Sequence, residues 1–255
     1  MILNSQEFLN KKIIVTGSST GIGMLTAIEY LRLGAKVIFH GNKSLNNLNN
    51  KLNEFDNSRY KILKSDFTDV GQVEDFMKQS LDFLQGLDIL VNNAGTMIGR
   101  YHLEEISTSK FEEIFNLNAK SAYFASKSAL DQFKKQNYGC IINVSTISAS
   151  TGGSAGSSAY SASKSFISGI TRSLASELAP YNIRVNAISP GTINTKFHEQ
   201  YSSKEKLENT RLKIPLKRLG EPEDCVGPII FLSSNSMSGY ITGQILEING
   251  GQFIS

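Results

Sequence analysis

The sequence predicts an α/β protein: a parallel sheet of seven strands with helices on both faces. Two observations point to it. Short β-branched runs recur along the chain, and each is followed by a stretch with helical spacing. A third observation makes it one domain over residues 1–255: no composition break, proline-rich linker or internal repeat interrupts the alternation.

The runs, in order, are KKIIVT (11–16), AKVIFH (35–40), RYKILK (59–64), DILVNN (88–93), CIINVS (140–145), IRVNAIS (183–189) and QILEIN (244–249). Between the second and third, Leu45, Leu48, Leu52 and Phe55 fall three to four residues apart, which puts them on one helix face and in the core. Ligands of such sheets bind beyond the carboxyl ends of the strands, where the strand order reverses. The residues just after each strand are therefore the first candidates for function.

Composition narrows the partners. Hydrophobic residues make up 40% and charged residues 19%, enough apolar content for a real core. The net charge is +3, but Lys and Arg are dispersed, and the densest cluster (Lys213, Lys217, Arg218) is too small for a nucleic-acid footprint. Cys140 and Cys225 lie far apart without CxxC spacing, so neither a disulfide framework nor a zinc site is expected. His40, His102 and His198 lack ligand-like spacing and read as surface or capping residues, with no metal. No apolar run approaches the roughly 20 residues that span a bilayer, and MILNSQEFLN lacks the basic start and apolar stretch of a signal peptide. The expectation is a cytoplasmic protein with no membrane partner.

The first strand runs into TGSSTGIG, with Gly17, Gly21 and Gly23 around Ser19, Thr20 and Ile22, and then into a helix carrying Leu25, Ile28 and Leu31. Glycines let the backbone turn tightly and approach a pyrophosphate, which then sits on free amides at the positive end of the helix dipole. The flanking strand and helix supply the context this motif needs. An acid after the second strand would bind the ribose 2′-hydroxyl of NAD, whereas a cation accommodates the 2′-phosphate of NADP. Here the chain reads His40, Gly41, Asn42, Lys43, with no acid. Lys43 as a phosphate contact predicts NADP(H) as the preferred cofactor and NAD(H) as the alternative; the other reading of Lys43 is a solvated side chain at a helix start.

Further on, SAYSASKSF places Tyr160 and Lys164 at i and i+4 on one helix face, after a strand end that carries Ser145, Thr146 and Ser148. Hydride exchange at carbon requires a proton to join or leave the neighbouring oxygen, and a phenol with pKa near 10 is a poor base. Lowering it to about 7 takes roughly 4 kcal/mol. One positive charge about 4 Å away supplies that at an effective dielectric near 20, which is the role expected of Lys164. A nearby hydroxyl would hold the substrate oxygen.

At these residues the sequence resembles the compact form of the short-chain dehydrogenase/reductase family. The resemblance runs from about Lys11 to Gly251, through TGSSTGIG, Asp66, NNAG (Asn92 to Gly95), Asn118, YSASK, Pro190-Gly191 and ITGQILEINGG. It implies a doubly wound Rossmann fold and an enzyme interconverting a carbonyl and a secondary alcohol, with Tyr160 as general acid and base. It further implies that Asn118 kinks a long helix and holds a water linking Lys164 to solvent. Asn93, Ala94 and Gly95 would lie beside the dinucleotide, Asp66 and Phe67 at its adenine, and Pro190, Gly191, Ile193 and Thr195 at its nicotinamide end. Asp66, just before Thr68, reads equally as a helix-start residue. Thr146 occupies the slot of the family's catalytic serine, with Ser145 and Ser148 as rivals.

The resemblance also implies a substrate lid over about 193–214, with Phe197 and Tyr201 facing the pocket together with Met97, Tyr101 and residues 150–159. A homotetramer or homodimer would form through helices around 108–136 and 158–180, where Phe111, Ile114, Phe115, Tyr123 and Phe124 either form that face or pack inward. A 3-oxoacyl thioester, a sugar or polyol, and a steroid-like alcohol all fit as small-molecule substrates. Tyr181 stands where carrier-protein-dependent members tend to have a basic residue. The alternative from another class is a dinucleotide-binding sensor that kept the fold and lost the chemistry.

Overall fold

The structure, a computed structural model, describes residues 6–43 and 45–254, so that Ser44 and the first five residues of the N-terminal segment considered above lie outside the described residues. Its elements alternate as the β-branched runs predict: β1 (Lys12–Val15), α1 (Gly21–Arg32), β2 (Lys36–Gly41), α2 (Asn46–Leu52), β3 (Tyr60–Lys64), α3 (Val70–Leu84) and β4 (Ile89–Asn92). Next come α4 (Thr108–Phe115), a π-helical turn (Asn116–Lys120), α5 (Ser121–Gln136), β5 (Gly139–Val144), α6 (Ser148–Thr151), α7 (Ser158–Leu178) and β6 (Ile183–Pro190). The chain finishes with α8 (Lys196–Tyr201), α9 (Lys204–Lys213), α10 (Pro222–Ser233), α11 (Asn235–Ser238) and β7 (Ile245–Ile248).

The strands form one sheet in the order β3-β2-β1-β4-β5-β6-β7, every neighbouring pair parallel. The chain walks outward from β1 to β3, then returns to the other side of β1 with β4. A crevice opens at that reversal, between the carboxyl ends of β1 and β4.

Strand alternation divides the core into two layers. Ile13 and Val15 of β1 face the layer holding Ile28, Leu31, Ile229 and Leu232, whereas Ile14 faces the layer holding Phe76, Met77, Ala125 and Phe133. Each fully buried side chain of this size contributes about 1.5–3 kcal/mol. Leu48 and Leu52 are buried in the first layer, with Leu45 and Phe55 packed at its margin. Both cysteines are free and buried.

Local chemistry sets the ends of the helices. Asp69 caps α3 by accepting from Gly71 N–H at 2.8 Å, and Pro222 opens α10 beside a reciprocal Glu221–Asp224 cap. Arg184 on β6 is buried and donates to Leu232 O (2.7 Å), Ser233 O and Ser234 O (both 3.3 Å), which satisfies carbonyls orphaned at the end of α10. Among the described residues no helix is long and apolar enough to cross a membrane, and no group of three or more His, Cys, Asp or Glu side chains could hold a metal.

Candidate active site

A cavity of about 580 Å³ lies across the carboxyl ends of the central strands. Its first wall is the loop after β1. Gly17 (φ +62°) and Gly21 (φ +58°) occupy the left-handed region, which penalises any side chain. A Cβ on Gly17 would also lie 2.7 Å from Ala94 Cα, and one on Gly23 would lie 2.6 Å from Gly17 O. The glycines thus serve different ends: two set the turn, and the third allows α1 to close against it.

Asn93 pins this loop to β4. Its Nδ2 donates to Thr16 O and Gly17 O, both at 2.9 Å, and its backbone N–H donates to Thr16 Oγ1 at 3.0 Å. Asn92, its neighbour, points the other way and donates to Asn143 Oδ1 on β5 at 3.0 Å.

His40 corrects the reading of the histidines as surface or capping residues. It is 3% exposed at the end of β2, where its Nδ1 accepts the Gly17 N–H at 2.9 Å and its Nε2 lies 3.1 Å from Ser65 O. An accepting Nδ1 requires the proton on Nε2, which then donates to Ser65 O. The ring stacks on Phe67 at 3.8 Å and meets Phe76 edge-on at 4.9 Å. Burial pushes its pKa down to about 4. One signal was available in advance: a histidine ending a strand buried on both faces must find partners for both ring nitrogens.

The expected adenine-side residues divide. Ser19, Thr20, Ile22 and Asn42 line the cavity with His40, whereas Lys43 is exposed beside it and Gly23 lies behind the loop. Phe67 is not on the cavity wall, because its side chain is buried against His40. Asp66 also stands off the wall: its Oδ1 accepts from Thr68 N–H (2.9 Å) and Thr68 Oγ1 (2.8 Å), in a turn that precedes the Asp69 cap.

At the centre of the cavity stand Ala94, Gly95, Thr146, Tyr160 and Lys164, with Pro190, Gly191, Ile193 and Thr195 beyond β6. Lys164 is 4% exposed, and its Nζ donates to Val144 O at 2.8 Å. Burial lowers its pKa to about 8 and raises that of the Tyr160 phenol above its ordinary value. Among the described residues no hydrogen bond joins the two side chains. The Lys164 ammonium is held by a strand carbonyl, and burial favours the neutral form of both groups.

Asn118 lies behind Gly95, off the cavity wall and 1% exposed, in the π-helical turn that joins α4 to α5. Its Nδ2 donates to Thr96 O (2.8 Å) and Ile114 O (2.9 Å), while its Oδ1 has no partner among the described residues. A Cβ on Gly95 would lie 2.6 Å from that Oδ1 and 3.0 Å from Lys164 Nζ, so the orphan acceptor and the ammonium border the same small space. A buried acceptor left unpaired costs about 1–3 kcal/mol, and a water with polar partners relieves it.

Of the three candidate hydroxyls, Ser145 is committed elsewhere: it donates to Lys164 O at 3.2 Å and pairs with Ser168 Oγ at 3.0 Å. Thr146 is half-buried on the cavity, its Oγ1 making only a long bond from Ser148 N–H at 3.3 Å. Ser148 lines the cavity at the start of α6.

The segment expected as a lid forms two helices, α8 and α9, broken at Ser202 and Ser203. Phe197 lines the cavity and sits 5.7 Å from the Tyr160 ring, and Met97 lines it too. Tyr201 and Tyr101 do not line it. Tyr201 braces Phe197 from behind at 5.1 Å and accepts from Thr96 Oγ1 at 3.3 Å, while Tyr101 packs against Gly99.

A glycine cradle at the switch point of a doubly wound sheet, next to a tyrosine and a lysine, defines the class: a nicotinamide-nucleotide oxidoreductase of alcohol and carbonyl groups. A family model described as enoyl-(acyl carrier protein) reductase matches residues 17–252. The chain is 36% identical to an L-rhamnose 1-dehydrogenase (NAD(P)(+)) of Azotobacter vinelandii, over 97% of this chain and 98% of that one. It is 35% identical to a 2-dehydro-3-deoxy-D-gluconate 5-dehydrogenase of Dickeya dadantii, over 98% of each. Among solved structures it resembles an NADH-dependent reductase responsible for alginate metabolism (TM-score 0.87, 30% identity, 98% of this chain and 100% of that one). The chain belongs to the short-chain dehydrogenase/reductase family, and it is an enzyme acting on a CH–OH group with NAD(P).

Proposed function

We propose that this enzyme interconverts a carbonyl and a secondary alcohol on a small molecule, with NADP(H) preferred over NAD(H) and Tyr160 handling the proton. One observation carries the reading: Tyr160, Lys164 and Thr146 share a single cavity with the Gly17–Ile22 loop, and Asn118 stands directly behind it. The residues fit a dinucleotide. Gly17 and Gly21 leave room for close backbone approach, and the start of α1 offers free amides. Asn93, Ala94 and Gly95 would flank the ribose, and Ile193 and Thr195 the carboxamide.

When bound, the dinucleotide supplies or accepts the hydride and, oxidised, brings a positive charge to the site. The protein's residues do the rest. Thr146 holds the substrate oxygen, Tyr160 Oη gives it the proton or removes it, and Lys164 favours the phenolate. Asn118 Oδ1 holds a water through which the proton reaches Lys164 and solvent, which also satisfies its orphan acceptor. At the ribose end His40 is committed to Gly17 and Asn42 is hydrogen-bonded to the Asp66 carboxylate, while Lys43 beside them is exposed and basic. This supports NADP(H).

The named dehydrogenase relatives act on sugar-derived compounds, which favours a hydroxylated substrate. Half-exposed Phe111 and Tyr123, in ring contact with Phe115 and Phe166 across three helices, support a homotetramer or homodimer. Two buried free thiols accord with a reducing cytoplasm. Nothing favours a sensor, since the tyrosine, lysine, asparagine and hydroxyl are all present. The test is a panel of ketones and hydroxylated aldehydes and ketones, followed by nicotinamide absorbance with NADPH and NADH. Oxidation of NADPH is expected, whereas cofactor binding without turnover of any compound would overturn the reading.

A further inference from the structure

On the Tyr160 side of the cavity two cations stand without an acidic partner. Arg100, on the segment that leaves β4, donates from Nη1 to Ser154 Oγ at 2.9 Å and to Ala155 O at 3.1 Å, and from Nε to Tyr201 O at 3.1 Å. Lys206, in the first turn of α9, donates to the same Ser154 Oγ at 3.1 Å. Both side chains line the cavity. Among the described residues neither makes an ion pair, whereas Arg211, further along the same helix, is paired with Glu208.

Two like charges drawn to one hydroxyl repel each other, and the arrangement becomes favourable when an anion sits between them. Among the described residues no carboxylate pairs with either cation. His198, also on the cavity wall, is held neutral, its pKa pushed down to about 4 by burial and by the charges of Arg100 and Lys206. Arg100 Nη2 has no protein partner among the described residues and remains free to complete a two-pronged contact.

We propose that Arg100 and Lys206 form an anion-recognition subsite, so that the substrate carries its carbonyl or alcohol at Tyr160 and a carboxylate or phosphate a few atoms away. The subsite belongs to the substrate rather than the dinucleotide. Contacts link it to Tyr160 through Phe197 (5.7 Å) and Tyr201, which lies 5.1 Å from Phe197, whereas the ribose end of the cavity is built from the Gly17 loop, His40 and Asn42. The proposal deepens the oxidoreductase reading and rests on it for turnover.

The test compares kcat/KM for acetoacetate and levulinate against their methyl esters, and for dihydroxyacetone phosphate against dihydroxyacetone. The proteins are the wild type, Lys206→Gln on its exposed lysine, and the Arg100→Gln/Lys206→Gln double variant. Thermal unfolding in succinate and in inorganic phosphate, against chloride of equal ionic strength, reads binding without turnover. The charged member of at least one pair is expected to be preferred by about tenfold or more, with the preference reduced in the single variant and lost in the double. Preference for the acids marks a carboxylate site, and preference for the triose phosphate a phosphate site. Equal use of charged and neutral members by the wild type, or a preference unchanged in both variants, would overturn the proposal while leaving the oxidoreductase reading intact. If no carbonyl is turned over but succinate or phosphate raises the Tm of the wild type and not of the variants, the subsite stands and the oxidoreductase reading falls. If there is neither turnover nor a shift in Tm, the subsite falls.

Discussion

The Gly17 N–H points at Nδ1 of His40, 2.9 Å away, so the first turn of the glycine loop is fastened to the end of the neighbouring strand. The bond is doubled by the backbone, because His40 N–H donates to Ser18 Oγ and Ser18 N–H to His40 O, both at 2.8 Å. The ring is held in turn by Ser65 O and the Phe67 face. A loop that must present bare amides to a pyrophosphate is thereby fixed from outside the motif itself.

His40→Leu leaves the Gly17 N–H without an acceptor, a loss of about 1–3 kcal/mol, and the Michaelis constant for the dinucleotide is expected to rise more than kcat falls. His40→Asn, which restores an acceptor, is expected to recover part of the affinity. The burial that keeps the His40 ring neutral also makes stability depend on pH. The pKa of about 4 in the folded protein lies below the unfolded 6.5, so the unfolded chain takes up the proton first as pH falls. The contribution is complete above pH 6.5 and is lost as pH drops toward about 4, a total of about 3 kcal/mol. Urea unfolding at a series of pH values measures it. His198, also pushed down to about 4, titrates over the same range, so the histidine-40 variants should flatten the curve only in part.

Gly95→Ala places a methyl group 2.6 Å from Asn118 Oδ1 and 3.0 Å from Lys164 Nζ. It fills the space assigned to the bridging water. Turnover is expected to fall about a hundredfold or more while circular dichroism stays native, since general acid–base help of this kind is worth about 10²–10⁴ in rate.

Thr146→Val keeps the shape and removes the hydroxyl; kcat is expected to drop about a hundredfold. Thr146→Ser should stay close to the wild type. Ser148→Ala provides the comparison: if it, rather than Thr146→Val, abolishes turnover, the substrate oxygen is held from α6.

Lys43→Glu puts an acid where NADP would carry its 2′-phosphate. The Michaelis constant for NADPH is expected to rise about tenfold and that for NADH to change little, and the difference should shrink at high salt. Equal response to both cofactors would remove Lys43 from the phosphate site.

Much of this site was legible before the fold. The β-branched runs marked each strand because a parallel sheet buried on both faces needs them, and TGSSTGIG and the Tyr160–Lys164 spacing were local patterns in the chain. What escaped were relationships made by tertiary packing. His40 meets Gly17 and Ser65 only because β2 lies between β1 and β3. Lys164 bonds to Val144 O because α7 packs on β5, a commitment that helical spacing does not reveal. Tyr201, the last residue of α8, braces Phe197 and does not line the pocket. Arg100 and Lys206, far apart in sequence, meet on one serine hydroxyl.

The central claim is that the Tyr160 phenol carries the proton. Its most direct test is Tyr160→Phe, with NADPH affinity measured by fluorescence and turnover measured on the best carbonyl substrate. Affinity within about threefold of the wild type and a rate lower by about a thousandfold are the predicted results. A phenylalanine variant that reduces the carbonyl at the wild-type rate would contradict the account.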